Sequence, residues 1–453
     1  MAIDKIQVNS TEVSDDANTS TGAFDIPAGT TAQRPGSPTT GNFRFNTDTQ
    51  SGEMYDGNAW GKVSPLIPTL SSVTGSIMNG LAKDISLVGT EFLSSNLIVN
   101  FTPSGGSTTS VTIQPTTNTS ASVAVPSAIQ SVSVGTVVSI TVINSDSRTS
   151  GAVTTTVLAA PSGGTISTSG NFRIHTFNTS DNFVAPLGMD VEYLIIAGGA
   201  GGGGYYYAGG GGAGGYRTNV SGQSSGGGGS AETSMTLTAA TYPVVVGAGG
   251  AARQSVASDQ DTGHDGIDSS FNSITSLGGG GGASSSGGGN TPNSGGSGGG
   301  AAGVTASSGG SGTANQGFAG GGSSGISNQY GAGGGGGAGA AGTAGYSGVP
   351  GTGGDGVSSN ITGTAVTRAG GGGGGTGAHG ASGTQGFGGS GGGGIGGVYN
   401  ADGNVSARAP TDATANTGSG GGGASHIGST PASGTSGAGG KGLVVIRYDL
   451  TTL

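Results

Sequence analysis

The clearest pattern of apolar and polar positions lies between residues 66 and 160. Val, Ile, Leu and Thr alternate there with polar residues in short segments such as ISLVGT, LIVNFTP, TVVSITVI and AVTTTV. Period-two alternation is typical of half-buried strands, and strands that recur every 8–12 residues or so are typical of sandwiches. The pattern predicts about seven short strands. We therefore expect an immunoglobulin-like (Ig-like) β-sandwich over residues 66–160.

Residues 1–65 are mostly polar, and their apolar positions are isolated. Between Phe43 and Trp60 the sequence predicts two short strands, in the first of which Phe43 and Phe45 alternate around Arg44. So few apolar side chains can hardly form a core in a unit of this size. We expect a small N-terminal β unit over residues 1–65 that is stabilised by self-association, for which a trimer is one common solution.

The last region, residues 161–453, begins and ends with strongly apolar segments. The sequence VEYLIIAG follows Asp190, and GLVVIRY precedes Asp449. Both have the β-branched and aromatic content of strands. Because loop-closure entropy grows only logarithmically with loop length, the long segment between them does not prevent pairing. We predict that these two strands are partners in a jelly-roll-like sandwich.

Between those strands the chain consists largely of glycine. There are 107 glycines in 453 residues, and runs such as Gly201–Gly204 and Gly370–Gly375 are uninterrupted. Such runs form either flexible linkers or threefold polyproline-II-like helices, whose outward backbone groups can bond to neighbouring helices. The apolar strands at both ends favour the second interpretation. We expect parallel polyglycine-II helices packed as a lattice, with recognition in the variable bends between them.

The predicted fold class is therefore all-β. It comprises a small N-terminal β unit (residues 1–65), an Ig-like β-sandwich (66–160) and a jelly-roll-like sandwich with packed polyglycine-II helices (161–453).

Composition narrows the functions that the chain can have. Charged residues make up 8% of the sequence and the net charge is −10, which argues against a surface for nucleic acid. There is no cysteine, so disulfides and cysteine-based zinc sites are excluded. No segment has the length of a membrane helix, and the N-terminus lacks the apolar core of a signal peptide. We expect a protein without membrane insertion that is made in the host cytoplasm and released by lysis.

No group of residues predicts catalysis. Gly199–Gly204 fits the dinucleotide-binding pattern G-x-G-x-x-G, but tyrosine and more glycine follow where a helix is required. The histidines lie far apart in the sequence, at His175, His264, His379 and His426. His175 falls within an apparent strand and is expected on a sheet face. We expect a non-enzymatic protein without a cofactor.

One acidic segment is a candidate calcium site. It contains the carboxylates of Asp259, Asp261, Asp265 and Asp268. Calcium prefers several hard oxygen ligands from a flexible loop, which this segment could supply, although its spacing departs from the EF-hand pattern. The alternative is an exposed loop in which Asp and Gly residues form turns.

Tyrosine is unusually common in or beside the glycine bends. Tyrosine offers a rigid amphipathic surface at low entropic cost and is favoured in binding loops. Its ring face also stacks on sugars. The alternative is that these rings cap the ends of the lattice and cover exposed backbone. The candidate receptor-binding residues are Tyr205, Tyr206, Tyr207, Tyr330, Tyr346 and Tyr399.

Three segments resemble known families. The segment Gly29–Val63 contains Gln33-Arg34-Pro35, the strand Gly41–Asn46 and the closing segment Tyr55–Trp60. On these residues it resembles the N-terminal repeat of phage tail fibres and related virion proteins. The segment from Ile85 to Phe101 resembles the disulfide-free IPT/TIG branch of Ig-like domains. Residues 163–449 resemble the glycine-rich C-terminal module of marine phage structural proteins and the polyglycine-II phage adhesins.

These resemblances imply a trimeric virion protein. The first implies attachment to other virion proteins, the second a spacer or binding module, and the third a receptor-binding surface on the loops between polyglycine helices. We expect a tail fibre or fibre-tip adhesin that binds a protein or glycan receptor on the host surface. The alternatives are a purely structural head fibre, decoration or collar protein and, less favoured, a self-assembling extracellular filament.

Overall fold

The computed structural model describes residues 26–63, 67–93, 96–253, 262–285, 291–325, 329–378, 384–400, 407–425 and 435–453. Strands dominate this part of the chain, which confirms the predicted all-β class. The described helices are single turns at Thr31–Gln33, Ser127–Gln130 and Leu450–Thr452. In the described ranges, therefore, no helix has the length and apolar character needed to cross a bilayer.

The described part of the N-terminal unit, residues 26–63, is one four-stranded sheet. Its strands are β1 (Ala28–Gly29), β2 (Phe43–Asn46), β3 (Ser51–Tyr55) and β4 (Trp60–Val63). They lie in sequence order, β1 parallel to β2 and the others antiparallel. One face of the sheet is apolar but open, since Phe43, Met54 and Val63 are 41%, 44% and 46% exposed.

The opposite face of this sheet buries ions rather than apolar side chains. Glu53 is buried and accepts hydrogen bonds from Arg34 Nη2 at 2.6 Å and Asn46 Nδ2 at 2.9 Å. Arg44 Nε lies 3.5 Å from the same carboxylate. The hydrogen bond from Arg34 is the main reason why the pKa of Glu53 lies below its ordinary value. The unit is thus held by a buried polar cluster, while its apolar face lacks a partner within the described part of the chain.

The second region, which we call the N-terminal sandwich, contains nine strands. They are β5 (Thr69–Thr74), β6 (Met78–Asn79), β7 (Asp84–Thr90), β8 (Leu97–Pro103), β9 (Thr109–Ile113), β10 (Ser120–Ala124), β11 (Val137–Ile143), β12 (Val153–Thr156) and β13 (Leu158–Ala159). Sheets β10-β7-β5 and β12-β11-β8-β9 enclose a core that includes Leu87, Phe101 and Ile140. Strict alternation of buried and exposed residues along β7 confirms the period-two prediction.

The third region begins with strands that form a second sandwich. These are β14 (Thr165–Ser169), β15 (Phe172–Phe177), β16 (Asp181–Ala185), β17 (Met189–Ile196), β18 (Tyr216–Thr218), β19 (Met235–Leu237), β20 (Ala240–Val245), β21 (Ser269–Phe271), β22 (Ile274–Ser276) and the last strand, β30 (Leu443–Asp449). Sheet β14-β15-β30-β17-β18 packs on sheet β16-β20-β21-β22. The predicted pairing of VEYLIIAG with GLVVIRY is confirmed, with Glu192 opposite Arg447 and Ile196 opposite Leu443.

His175 on β15 lies inside this second sandwich and is fully buried. Its Nδ1–H donates to the Gly163 carbonyl at 2.8 Å, so Nε2 is the acceptor for the Tyr448 hydroxyl at 3.3 Å. Burial lowers the pKa of His175 to about 4, which keeps the ring neutral near pH 7. The predicted sheet-face residue is therefore part of the core between the two sheets.

The glycine runs form a third layer on the outer face of the sheet that contains β17 and β30, a six-stranded sheet because β19 also pairs with β17. Ala213, Ala338 and Ala369 from the runs pack with Leu194 and Val445 from the sheet. Short strands lie among the runs at β23 (Ala306–Ser307), β24 (Ser323–Ser324), β25 (Gln329–Gly331), β26 (Val357–Ser359), β27 (Val366–Arg368), β28 (Thr376–Ala378) and β29 (Val398–Asn400). The sheet is therefore covered on one face by side chains and on the other by a glycine lattice.

Hydrogen bonds in the lattice repeat every third residue. The N–H groups of residues 198–203 donate in turn to three neighbouring runs at 2.9–3.0 Å. Their carbonyl acceptors are, in order, those of Ile267, Gly440, Gly212, His264, Gly437 and Gly209. A threefold helix directs its successive amides in three directions, which is the arrangement expected of polyglycine II. The predicted lattice is present in these runs.

The predicted parallel packing holds for some pairs of runs and is wrong for others. As the donor advances from residue 198 to 201, its acceptor falls back from 267 to 264, so these two runs are antiparallel. Other pairs are parallel: Gly210 and Ala213 donate to Gly333 and Gly336. Short bends return the chain beside itself in the opposite direction, and a threefold helix offers carbonyls to neighbours of either direction. The lattice is consequently mixed.

Glycine is required in the lattice by space rather than by backbone dihedral. A Cβ at Gly202 would lie 2.2 Å from the carbonyl oxygen of Gly422, and one at Gly209 would lie 1.9 Å from that of Gly300. Neither glycine has positive φ. An L-residue could therefore adopt the backbone conformation but would force neighbouring runs apart.

Candidate functional site

Three consecutive tyrosines occupy a bend at the far end of the lattice. Residues 197–204 continue from β17 as a glycine run, and residues 208–215 return beside them. At 3.1 Å per residue the outgoing run is roughly 25 Å long. Gly203 N–H donates to the Gly209 carbonyl at 2.9 Å and closes the bend. Tyr205–Tyr207 thus lie one full run away from the second sandwich.

The backbone of this bend is strained. Tyr205 and Tyr207 have φ values of 65° and 44°. Bulky residues seldom adopt this left-handed region, which costs of order 1–3 kcal/mol per residue and persists only where the surroundings enforce it. Such strain is often found at binding sites. The lattice therefore holds the tyrosine triplet in a conformation that it would not adopt alone.

A small sheet brings two more tyrosines to the same end. In the sheet β25-β28-β29, Tyr330 and Tyr399 both lie opposite Gly377. A Cβ at Gly377 would lie 2.6 Å from Cε1 of Tyr207, so the ring of Tyr207 fills the space above this glycine. The missing side chain at the centre of the sheet creates the slot that the bend occupies.

Lattice hydrogen bonds fix the bend against this sheet. Ala332, just after β25, donates to Gly375 at 3.1 Å, and Gly375, just before β28, donates to Ala208 at 2.9 Å. Thr376 donates to the Gly397 carbonyl at 3.0 Å, one residue before β29. The elements that carry the tyrosines are therefore ends of runs that share one lattice.

We call Tyr205, Tyr206, Tyr207, Tyr330 and Tyr399 the tyrosine tip. Its rings contact one another in a chain. The centroids of Tyr205 and Tyr206 are 4.0 Å apart with perpendicular planes, those of Tyr206 and Tyr207 are 5.9 Å apart, and Tyr207 stacks on Tyr330 at 4.5 Å. All five residues are half-buried. They form a supported aromatic surface rather than separate mobile side chains.

Tyr346, the sixth predicted receptor-binding tyrosine, lies beside the tip. Its backbone nitrogen is 3.2 Å from the Cβ position of Gly331, the residue that follows Tyr330. The residue is 58% exposed and lies in a tight turn closed by mutual hydrogen bonds with Val349. The structure therefore gathers five of the predicted tyrosines into one cluster and places the sixth next to it.

Two hydroxyls of the tyrosine tip have a pKa above the ordinary tyrosine value. Burial raises the pKa of Tyr207 to about 12, and the hydroxyls of Tyr330, Tyr206 and Tyr399 contribute to the rise. A hydrogen bond to Tyr205 is the main cause of the raised pKa of Tyr206. Arg253 packs its Cβ behind the bend, and its Nε donates to the Thr262 carbonyl at 3.0 Å. The electrostatic surroundings of the Tyr207 hydroxyl are thus set by other tyrosines.

The acidic segment has a structural role in its described part. Asp265 accepts from the Gly281 amide at 2.7 Å, and Asp268 accepts from the Gly278 amide at 2.8 Å. Their three-residue spacing matches the lattice period, so each carboxylate replaces a carbonyl acceptor at the lattice edge. Among the residues that the structure describes, no group of three His, Cys, Asp or Glu side chains is arranged to hold a metal ion. Asp259 and Asp261 lie outside the described residues, and the calcium hypothesis remains a prediction.

Within the described ranges, the other candidates do not form a second site. His379 and His426 lie outside the described residues, and Gly199–Gly204 is a lattice run, not the start of a helix. A groove of about 560 Å³ is lined in part by Arg217 and Glu232, but these two form an ion pair at 2.6 Å. Glu232 also accepts from the Tyr193 hydroxyl at 2.6 Å, so the polar groups of this groove are used in holding the fold.

Sequence reasoning missed Gly377. Nothing distinguishes it in the sequence from the many glycines around it, because its role depends on the strands that flank it and on a bend distant in the chain. A glycine within a strand pattern can mark close approach of another group. Strand β28 is so short that the sequence around Gly377 shows no strand pattern in which this glycine would stand out.

Comparison with known protein families gives a match over the glycine-rich part of the chain. The profile of a family described as a glycine-rich domain matches residues 174–449. This range contains the tyrosine tip, the lattice and most of the second sandwich. No curated protein matches the chain.

Proposed function

The chain belongs to the glycine-rich domain family, and we propose that it serves as a virion structural protein, a tail fibre or fibre-tip adhesin that binds a receptor on the host surface. In this proposal the N-terminal unit joins other virion proteins and forms a homotrimer, the N-terminal sandwich is a spacer, and the tyrosine tip contacts the receptor. The protein is made in the host cytoplasm and released with the particle by lysis.

The gathering of dispersed tyrosines at one end of a rigid lattice is the observation that carries the proposal. Tyr207, Tyr330 and Tyr399 are far apart in sequence, yet their rings or strands meet at the tip. Ordered aromatic side chains lose little entropy on binding, which favours their use as contact residues. A lattice that only needed end caps would not require strained tyrosines at two positions of one bend.

The apolar face of the N-terminal sheet supports the assembly part of the proposal. Phe43, Met54 and Val63 lie on this face and remain exposed in the single chain. Contiguous exposed apolar surface is typical of interaction sites. A trimer contact or a contact with another virion protein would cover it.

Particle labelling and adsorption test the function. Antibodies to the C-terminal region should label the tail of particles, and deletion of residues 163–453 should abolish adsorption while particles still assemble. The triple substitution Y205S/Y206S/Y207S should weaken adsorption, whereas F387S, at an aromatic residue that is 56% exposed outside the tip, should not. Labelling on the head with unchanged adsorption would favour a structural head fibre or decoration protein instead.

A further inference from the structure

We infer that the tyrosine tip binds an uncharged oligosaccharide. This inference rests on the proposed receptor-binding function and specifies its ligand class. The candidate receptor classes are glycan and protein, and the properties of the tip favour the first.

The first argument is the shape of the surface. Tyr205, Tyr206, Tyr207 and Tyr330 form a continuous chain of ring contacts with centroid separations of 4.0, 5.9 and 4.5 Å. This chain is longer than one sugar ring. The residues are half-buried, so their orientation is fixed by the lattice and by one another. The planes of successive rings meet at 81°, 40° and 21°, so this row carries ring edges and phenol groups over a length that suits several consecutive sugar units better than a single small molecule.

The second argument is the chemistry of the ring. A tyrosine ring has an electron-rich face and an electron-poor edge, and it carries a hydroxyl group that both donates and accepts hydrogen bonds. A pyranose has an apolar face of C–H groups surrounded by hydroxyls. The C–H face complements the ring face, and the sugar hydroxyls complement the phenol groups. Because Tyr207 and Tyr330 stack on each other, a sugar would meet the remaining face, the edge and the hydroxyl of these rings.

The third argument is charge. Burial and the neighbouring phenols raise the pKa of Tyr207 to about 12, so the phenol in the middle of the ring chain is neutral under physiological conditions. An acidic sugar would need a cationic partner, and the net charge of −10 opposes the approach of an anion. Protein interfaces typically have an apolar core enriched in Arg, Trp and Met beside Tyr. A tip made of five tyrosines is closer to what a neutral glycan requires.

The test is an oligosaccharide array probed with the purified full chain. The array carries neutral oligomers of glucose, galactose, mannose and N-acetylglucosamine beside uronate-containing and sulfated oligomers. We expect signals on neutral oligomers that persist at high salt, because no ion pair is involved. Titration calorimetry with the strongest neutral oligomer then measures affinity. Absence of any neutral binder, or a preference for the acidic oligomers, would overturn the inference.

Three variants connect the binding to the tip. Y330A should weaken binding about tenfold, the effect of losing roughly 1.4 kcal/mol of contact. G377V should weaken it as well, because a side chain at this position displaces the Tyr207 ring without removing any tyrosine. F387A is the matched control and should bind like the parent chain. Amide exchange of residues 198–203 should be the same in all three, which shows that the lattice is intact. If Y330A and G377V both bind as tightly as the parent chain, a site at the tip is contradicted.

Adsorption experiments separate failure of the inference from failure of the proposed function. If periodate treatment of host cells, which cleaves sugar diols, leaves adsorption intact while protease treatment abolishes it, the receptor is a protein and the inference is wrong. If deletion of residues 163–453 leaves adsorption unchanged, the receptor-binding function is wrong. In that second case, the array result on the purified chain still tests whether the tip binds neutral glycans.

Discussion

The N-terminal sandwich and the glycine lattice bury their backbones by opposite means. In the sandwich, hydrogen bonds run within each sheet, and side chains such as Phe101 and Ile140 fill the space between the sheets. In the lattice, hydrogen bonds run in three directions and almost no side chain separates the runs. The sandwich is stable because apolar atoms leave water. The lattice is stable because most amides of its runs donate to carbonyls of neighbouring runs, in a space that excludes Cβ atoms. The two regions should therefore fail through different kinds of substitution.

The largest expected effect is a cavity in the sandwich. Phe101 is fully buried between the sheets, and F101A should reduce the free energy of unfolding of this region by about 3–5 kcal/mol. Hydrogen exchange measured by mass spectrometry should accelerate along β8 and β11, while residues 198–203 keep their protection. Faster exchange in the lattice as well would show that the two regions unfold as one unit.

The second-largest expected effect comes from the protonation of His175 and not from a cavity. The pKa of His175 is about 4 in the folded protein and about 6.5 when unfolded, so between these values the unfolded chain binds more protons. The stabilisation from the neutral ring is complete above pH 6.5 and is lost as the pH falls toward 4, by about 3 kcal/mol in total. Thermal scans from pH 7 to pH 4 should show this decline, and H175Q should flatten it. An equally steep decline in H175Q would assign the pH dependence to other groups.

A single methyl group should disrupt the lattice. In G202A the new Cβ would lie 2.2 Å from one backbone atom and 2.5 Å from the next, which the surrounding runs cannot avoid without separating. We expect a loss of about 1–3 kcal/mol, the usual range for overpacking. G151A, where nothing lies within 4 Å of the Cβ position, is the control and should be nearly neutral. A stable G202A with unchanged exchange in residues 198–203 would show that the lattice tolerates side chains.

The smallest effect is expected at the lattice edge. D265A removes the acceptor for the Gly281 amide and should cost about 1 kcal/mol, the usual contribution of a single hydrogen bond, here a partly buried one. Exchange at Gly281 should accelerate while the interior runs stay protected. D265N keeps an oxygen acceptor, so its stability should lie between that of D265A and that of the parent chain. A protective effect of calcium on this segment in the parent chain, absent in D265A, would instead favour the cation site.

Some parts of this organisation could be predicted because they depend on local pattern. The pairing of β17 with β30 follows from two strongly apolar strands that have no other partner of similar character in the glycine-rich region. The threefold lattice follows from glycine runs too long for ordinary turns. In both cases the composition of one segment is enough to indicate its structure.

Other parts depend on contacts that no local pattern encodes. The direction of neighbouring runs depends on the length of the bends, and the meeting of Tyr207 with Tyr330 depends on Gly377. In the N-terminal unit, alternation around Arg44 indicates a strand but not which face is buried. There the ions of Arg44 and Glu53 point inward, and Phe43 remains outside.

The three-residue repeat of the hydrogen bonds limits how this protein can change in length. Insertion of one residue into a run would rotate every later amide by a third of a turn and direct it at the wrong neighbour. Insertion of three residues would restore all directions and only lengthen the run. Among related chains, the glycine runs should therefore differ in steps of three residues, whereas the bends that carry the tyrosines can gain or lose residues singly. In this family the length of the glycine runs would then be constrained to change in multiples of three, whereas the surface that contacts other molecules could vary freely in length.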